Sequence, residues 1–185
     1  CCILWYAPGE MLCLVDVPEA GTIRRGDLQV SQSRTLIAVA DVGQNLHELA
    51  CQIAEDVLPI FEKQYPEDAR PREVIAAKRR WLVGQASDSE LTVAEVAAEA
   101  VAEATSEVAA RDDKYTTGAI RVVSWTARTA SWAASRSAAK AAGGALWAAW
   151  YANGGDTGGG NGKYREWIDK ALIARLPVPT GWSET

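Results

Sequence analysis

The sequence predicts a mainly α protein: an irregular helical bundle of about five helices with a long antiparallel Ala-rich hairpin, plus a small N-terminal β-hairpin element. Three observations predict this fold class. Apolar residues recur at helical spacing from Gly43 onward, alanine dominates Leu91 to Trp150, and strand-like apolar runs occur only in the first 40 residues. We therefore expect an N-terminal β or irregular segment over residues 1–40, a helical domain over residues 41–176 and a tail over residues 177–185.

The N-terminal segment has the composition of short strands. The apolar runs Ile3–Tyr6 and Met11–Val15 flank residues 7–10, Ala-Pro-Gly-Glu, which is a turn-type sequence. This arrangement predicts a β-hairpin. The segment Thr35–Ala40 is a candidate third strand, and the polar stretch Glu19–Gln32 is predicted to be irregular.

Two helices are predicted next. Apolar residues of the first fall on one stripe at spacings of three and four: Leu46, Leu49, Ala50, Ile53, Val57, Ile60 and Phe61. Pro59 should kink or restart this helix, because proline removes a backbone donor and clashes with the preceding turn. The second helix is predicted to start at Pro71 and to end at Gly84, with Ile75, Trp81 and Leu82 buried.

The Ala-rich hairpin is predicted to follow. Its first helix should begin at Thr92, because Thr92 and Glu95 match a capping box, and should run to about Arg111. A polar connection leads to one long helix from Gly118 to about Ala152. Apolar residues recur every seven positions along that helix, which predicts a contact seam: Trp125, Trp132, Ala139 and Leu146.

The remaining chain is predicted to hold a loop and one more helix. Asn153–Gly162 contains six glycines, and ordering such a segment costs backbone entropy, so we expect a flexible loop. The last helix should run from Tyr164 to Leu176 and stop at Pro177.

Composition and charge exclude several classes of protein. The chain of 185 residues has a net charge of −5 and a pI near 5.0, whereas a general nucleic-acid binder needs a clustered positive surface. No apolar run reaches the roughly 18 residues of a membrane-spanning helix, and the first residues lack the basic start of a secretory signal. We therefore expect a cytoplasmic protein with no membrane association.

Cysteine and histidine usage indicates no metal site. The four cysteines fit no zinc spacing and are expected to be reduced: Cys1, Cys2, Cys13 and Cys51. His47 is the only histidine, which excludes a multi-histidine site. We expect His47 at the surface or as a capping side chain near a helix start, with a catalytic role as the minor alternative.

The chain also lacks a recognisable nucleotide or acid–base motif. Gly162-Lys163 fails the phosphate-loop pattern, because Thr157 stands where glycine is required and Tyr164 where serine or threonine is required. The carboxylate pairs at 55–56 and 112–113 carry no recognisable mechanism. We therefore expect no cofactor and no catalytic residue.

Charge is segregated along the Ala-rich region. Residues 41–113 carry 16 acidic and 7 basic side chains, whereas residues 114–150 carry five basic side chains and no acidic one. Two ridges at helical spacing result, an acidic one of Glu95, Glu99, Glu103 and Glu107 and a basic one of Arg121, Arg128 and Arg136. The favoured interpretation is an ion-pair seam between two antiparallel helices. The alternative is an exposed acidic surface that binds a basic protein or imitates phosphate.

The tryptophans allow two interpretations. Trp125, Trp132, Trp147 and Trp150 could stack on nucleobases or sugars, since aromatic rings beside arginine are typical of single-strand binding. Helical spacing favours the simpler role, in which these rings fill a core that is otherwise built of alanine and serine.

Two segments carry a family resemblance. Asp56–Glu62 and Tyr65–Arg72, followed by a short helix, are similar to the opening of a family of alanine-rich helical proteins labelled as immunity proteins in bacteria, with phage relatives. In that family a "VLPLFE" helix and a "D-x-RPR" turn precede an Ala-rich hairpin and a closing helix. The resemblance covers about Leu46 to Leu176. The chain lacks the histidines that punctuate these helices in bacterial members, which favours the phage relatives as the closer comparison.

The resemblance implies a non-catalytic inhibitor that binds a protein partner. We expect either an immunity protein against a bacterial toxin or a phage-encoded antagonist of a host defence nuclease. The alternative is a nucleic-acid-binding accessory protein that uses the basic, Trp-containing helix. The motif residues Arg70 and Arg72 join the two charged ridges as predicted partner-binding residues, although both could also pair with nearby carboxylates such as Glu62 or Asp68.

Overall fold

The described chain begins with short strands and continues as helices. The computed structural model describes residues 9–25, 28–111, 117–152 and 161–172. Within these ranges the fold is mainly α, as predicted, with a small antiparallel β element at the N-terminal end. The strands are β1 Met11–Asp16, β2 Ile23–Arg25, β3 Leu28–Val30 and β4 Thr35–Asp41. The helices are α1 Gly43–Gln64, α2 Arg70–Leu82, α3 Asp88–Arg111, α4 Thr117–Ala133, α5 Ala138–Ala152 and α6 Asn161–Leu172.

The β element differs in its pairing from the predicted hairpin. β1 pairs with β4 in antiparallel fashion from Met11 opposite Asp41 to Asp16 opposite Thr35. The predicted candidate third strand is therefore the partner of β1, while the run Ile3–Tyr6 lies outside the described residues. The stretch predicted to be irregular holds the second ribbon, β2 with β3.

The first two helices follow the predicted periodicity. α1 continues through Pro59 as one helix, so the predicted restart does not occur, while the predicted kink stays a prediction. Pro59 lies on the exposed side of α1, where water can satisfy the carbonyl that loses its helical donor. α2 contains Pro71 in its first turn, and Gly84 follows its end with a φ of 72°, as a helix stop by glycine requires. Ile75 is buried as predicted, whereas Trp81 and Leu82 are only half-buried.

Helix α3 begins one turn earlier than the capping box at Thr92 predicts. A second box precedes it: the amide of Ser87 donates to Glu90 Oε2 at 2.8 Å, and Ser87 Oγ accepts from the amide of Glu90 at 3.2 Å. The hydroxyl of Thr92 instead donates to the carbonyl of Asp88 inside the helix. The earlier start adds a turn that buries Leu91 completely.

The predicted long helix from Gly118 to Ala152 is interrupted at residues 134–137. Two i→i−3 hydrogen bonds tighten the end of α4, and the carbonyl of Ser137 accepts the amide of Ala141 in the first turn of α5. Charged side chains satisfy both ends of the break. Lys78 Nζ donates to the carbonyl of Ser135 at 2.8 Å, and Glu10 Oε1 accepts from the amide of Ala138 at 3.2 Å. A cation at a helix C-terminus and an anion at an N-terminus both complement the helix dipole.

Alanine fills the centre of the bundle. Helices α4 and α5 bury alanines that are no more than 1% exposed: Ala127, Ala130, Ala133, Ala138, Ala141, Ala142, Ala145, Ala148 and Ala149. Helix α1 packs against both and supplies the volume: Leu46, Leu49, Ile53, Val57 and Phe61. Small side chains on two helices and large ones on the third allow close backbone approach without voids. Gly144 on α5 shows this closeness, because a Cβ there would lie 3.0 Å from Trp132 on α4.

The outer helices complete the bundle. α2 packs on α3, α3 on α4, and α6 on α1. Tyr164 of α6 is buried and its hydroxyl donates to Asp56 Oδ2 of α1 at 3.0 Å, while Lys163 pairs with the same carboxylate. Residues 153–160 of the predicted Gly-rich loop, the end of the last helix beyond Leu172 and the tail lie outside the described residues. Asn161 and Gly162, which were predicted to belong to that loop, instead begin α6. No helix in the described ranges is both long and apolar enough to cross a membrane.

Candidate functional site

The predicted acidic ridge turns from the helix interface towards solvent along α3. Glu95 and Glu99 are half-buried, and Glu99 Oε2 accepts a hydrogen bond from the hydroxyl of Ser131 on α4 at 2.5 Å. Glu103 and Glu107 are exposed. Each step of four residues rotates the side chain by about 40° around the helix axis, so the ridge turns by about 120° from its first to its last glutamate. The four glutamates therefore do not share one environment.

The described arginines of the predicted basic ridge, Arg128 and Arg136, have other partners than the first three glutamates of the acidic ridge. Among the described side chains, no ion pair joins Glu95, Glu99 or Glu103 to Arg128 or Arg136. Arg136 donates to Thr92 Oγ1 at 2.7 Å, and Arg128 lies against aromatic rings. The side chain of Arg121 lies outside the described residues. The helices are neighbours, as predicted, and in their described part alanine packing and the hydrogen bond from Ser131 to Glu99 join them.

An interhelical ion-pair seam does exist, between α1 and α2. Arg79 makes a bidentate contact with Glu55, with nitrogen–oxygen distances of 2.6 and 2.7 Å. Arg72 contacts Glu62 at 2.5 Å. The glutamates are seven residues apart and so are the arginines, as two antiparallel helices require. All four side chains are partly exposed, so each pair contributes only about 0–1 kcal/mol.

The arginine of the motif turn, Arg70, bonds locally. Its guanidinium forms two hydrogen bonds with the carboxylate of Asp68, at 2.8 and 2.6 Å. The hydrogen bond and charge of Arg70 lower the pKa of Asp68, and the same pairing raises the pKa of Arg70. Both motif arginines therefore hold the α1–α2 connection and keep exposed guanidinium surface; their role in partner binding stays a prediction.

The outer side of α3 carries an exposed apolar stripe. Val93 is 68% exposed, Val96 64% and Val108 46%, although valine is normally buried. Exposed Glu103 lies two turns after Val96, on the same side of the helix as Val96. Helix α3 thus combines apolar contact surface with negative charge.

Four tryptophans and one tyrosine form an aromatic cluster on α4 and α5: Trp125, Trp132, Trp147, Trp150 and Tyr151. Trp125 stacks on Tyr151 with ring centroids 4.7 Å apart. The guanidinium of Arg128 lies 5.7 Å from the ring of Trp125 and 5.8 Å from that of Trp132. The four tryptophans are half-buried or, for Trp147, 38% exposed. Trp125 packs against the core, but none of the four fills its centre as predicted. Alanine takes that role and the rings cover its edge.

A polar groove lies where the β element meets the start of α1, and sequence reasoning did not find it. It has a volume of about 390 Å³ and is lined by Glu10, Asp41, Gly43, Gln44, His47, Trp81 and Leu82. His47 is only 7% exposed, which contradicts the expected surface or capping position. Its ring contacts that of Trp81 edge-on, with centroids 5.5 Å apart. The only signal in the sequence was a histidine close to a helix start.

Burial changes the acid–base properties of three groups at this end of the bundle. It is the main cause that lowers the pKa of His47 to about 4, and the positive charge of Lys78 adds to the effect. Burial likewise lowers the pKa of Lys78 to about 8 and raises the pKa of Cys51 to about 11. Near pH 7 the imidazole is therefore neutral, the lysine is charged and the thiol is protonated.

The described residues bring together no metal-binding set. No group of three or more histidine, cysteine, aspartate or glutamate side chains is placed to hold an ion within these ranges. Their arrangement offers apolar, acidic and aromatic contact surfaces.

The fold and these surfaces define an alanine-rich helical bundle protein whose outer helix α3 exposes valine and glutamate side chains. The chain belongs to the family described as "Imm-5 like putative immunity protein", whose model matches residues 42–154. The match begins after the N-terminal β segment, as the resemblance predicted, and ends at residue 154, short of Leu176. No curated protein and no solved structure is significantly similar to the chain.

Proposed function

We propose that this protein is a stoichiometric, non-catalytic inhibitor that binds and neutralises a basic protein toxin in the cytoplasm. Family membership supports an immunity-like role. We assign the binding surface to α3, because exposed Val93, Val96 and Val108 form an apolar stripe there and the carboxylate of Glu103 lies beside it. The partner would be either a bacterial toxin, if this chain is an immunity protein, or a host defence nuclease, if it is a phage-encoded antagonist.

The stripe suits a protein contact in its chemistry. Burial of apolar surface stabilises a complex by roughly 25 cal/mol per Å². The exposed Ala100 and Ala104 connect Val96 to Val108 at spacings of four, so α3 offers an apolar strip along its outer side. The other side of α3 is fixed against α2 and α4. The strip therefore lies on a rigid helix, which reduces the entropy lost on binding.

Charge favours a basic partner. The region from residue 41 to 113 carries 16 acidic and 7 basic side chains. Three of its arginines, Arg70, Arg72 and Arg79, pair with carboxylates, and the buried Lys78 presents no charge at the surface. Such a field accelerates association with a positively charged protein and repels an acidic one.

The test measures affinity and neutralisation with the toxin encoded by the gene adjacent to that of this chain. We expect a 1:1 complex by calorimetry and loss of toxin activity at equimolar ratio. Val96→Arg should weaken binding at least tenfold. Val83→Arg is the matched control, since Val83 is 65% exposed but lies after α2, away from the stripe. Unchanged affinity of Val96→Arg, with a native circular dichroism spectrum, would remove α3 as the contact surface.

The aromatic cluster supports a second candidate, a nucleic-acid-binding accessory protein. Arg128 beside the half-exposed rings of Trp125 and Trp132 is a suitable platform for stacking unpaired bases. A gel-shift series with single-stranded DNA and RNA at about 50 mM salt tests it. Absence of a shift for both eliminates this candidate, and binding that Arg128→Ala abolishes supports it.

A further inference from the structure

His47 carries a buried nitrogen without a partner. Nδ1 has no hydrogen-bond partner, and the residue is only 7% exposed. Leaving a buried polar atom unsatisfied costs roughly 1–3 kcal/mol, so such atoms are uncommon unless a ligand or water completes them. His47 also lines the polar groove with Glu10, Asp41 and Gln44, so a rotation of its ring would bring Nδ1 to a molecule bound there.

The polar groups around the groove are mainly hydrogen-bond acceptors. Asp41 Oδ1 accepts the amide of Gly43 at 2.9 Å, while Asp41 Oδ2 makes no hydrogen bond within the described part of the chain. Glu10 uses Oε1 for the amide of Ala138, and its carboxylate retains further lone pairs. Because His47 is neutral near pH 7, one nitrogen of its ring also carries a lone pair.

This chemistry selects the class of ligand. Two carboxylates disfavour an anion. A metal ion would need a set of three protein ligands, which the described residues do not provide. An organic cation with several N–H donors matches carboxylate and imidazole acceptors together. The half-buried Trp81 and Leu82 form an apolar wall beside them, which can cover the hydrocarbon stem of a long basic side chain.

We propose that the groove between the β element and α1 binds a protonated basic side chain, lysine or arginine, of the partner protein. This inference rests on the proposed function, because the partner supplies the side chain. Asp41 and Glu10 neutralise its charge, and His47 Nδ1 accepts one of its hydrogens. The groove lies away from the α3 stripe in sequence and adds specificity for a basic residue to the apolar contact.

The first experiment uses the protein and small probes only. Because His47 is the only histidine, its imidazole resonances identify the groove directly in a ¹H–¹³C correlation spectrum. Methylammonium and methylguanidinium are titrated to about 50 mM at constant ionic strength, since isolated charged groups bind weakly. We expect saturable shifts of the His47 signals with both cations and none with acetamide as the neutral control.

Variants assign the binding to the groove. Asp41→Asn keeps an oxygen for the amide of Gly43 but removes the charge, and should weaken cation binding at least fivefold. Asp16→Asn is the matched control, since Asp16 is exposed at the other end of the β1–β4 ribbon. Shifts that do not saturate, that acetamide also produces, or that Asp41→Asn leaves unchanged would overturn the assignment.

A second experiment separates this inference from the proposed function. Toxin binding by the wild type that Asp41→Asn weakens at least fivefold supports the partner side chain as the ligand. Toxin binding that Asp41→Asn leaves unchanged overturns that assignment, whatever the probes show. Saturable probe binding without any toxin binding overturns the proposed function and makes a free amine the source of the cation.

Discussion

Replacement of Lys78 by methionine probes the buried charge that joins α2 to the break between α4 and α5. The side chain is fully buried, donates to the carbonyl of Ser135 at 2.8 Å and lies 3.9 Å from the ring centroid of Trp81. Burial is the main reason that its pKa falls from 10.5 to about 8. Methionine has a similar shape without a charge, so Lys78→Met removes the titration and preserves most of the packing.

The pH dependence has a defined sign and size. The pKa of Lys78 is lower in the folded state than in the unfolded chain, so the unfolded chain binds more protons between pH 8 and 10.5. Its contribution to stability is therefore least favourable below pH 8 and improves as the pH rises to 10.5. The pKa difference corresponds to about 3 kcal/mol in total. Between pH 7 and 10, wild-type stability should rise by about 2 kcal/mol relative to Lys78→Met.

Urea unfolding followed by circular dichroism at pH 7, 8, 9 and 10 measures this difference. Subtracting the unfolding free energy of Lys78→Met from that of the wild type cancels the contributions of groups common to both proteins. Cys51 stays protonated in this range because burial raises its pKa to about 11. Lys63→Met, at an exposed position near the end of α1, controls for the loss of a surface lysine. A difference between wild type and Lys78→Met that stays constant or decreases from pH 7 to 10 would refute the reasoning.

Three further predictions concern packing and burial. Burial lowers the pKa of His47 to about 4, so acidification from pH 7 to 4.5 should destabilise the wild type by about 2 kcal/mol relative to His47→Phe in urea unfolding. An equal loss of unfolding free energy in the two proteins would contradict this. Gly144→Ala should lower stability by about 1–3 kcal/mol in thermal unfolding, since its Cβ would lie 3.0 Å from a tryptophan ring. Gly9→Ala is the control, because a Cβ there meets open space, and a melting temperature of Gly144→Ala equal to that of the wild type would argue against close packing. Iodoacetamide should modify the exposed Cys13 in the native protein and leave Cys51 intact by mass spectrometry; native alkylation of Cys51 would disprove its burial.

Features that depend on neighbouring residues were predictable. The apolar stripe of α1 is buried as its spacing indicates, and α2 begins beside Pro71 and ends before Gly84. These features depend on backbone geometry over one or two turns, so the sequence contains them directly. The same local rules were ambiguous where two signals competed. The sequence pattern of a capping box occurs at both Ser87 and Thr92, and burial of Leu91 favours the helix start at Ser87.

The candidate sites were largely unpredictable for a different reason. Matching charge patterns predicted an α3–α4 seam, yet neither Arg128 nor Arg136 pairs with Glu95, Glu99 or Glu103 among the described side chains. Ion pairs between α1 and α2, which the patterns did not single out, join Glu55 to Arg79 and Glu62 to Arg72. A charge at helical spacing has several neighbouring helices as potential partners, and surface ion pairs contribute too little energy to select among them. Packing selects the neighbours, and the charges then pair with whatever lies within reach.

The helical class of this protein, the apolar stripe of its first helix and the small-residue character of its core were predictable, because they depend on side-chain type and on residues within about four positions. The break of the long Ala-rich helix at residues 134–137 became visible in the folded chain alone, since the side chains that bond its two ends are distant in sequence. Lys78 lies 57 residues before Ser135, and Glu10 lies 128 residues before Ala138. The burial of His47 against Trp81 and the exposure of the valines on α3 are likewise tertiary. Burial is a property of contacts between distant segments, and periodicity does not specify which segments meet.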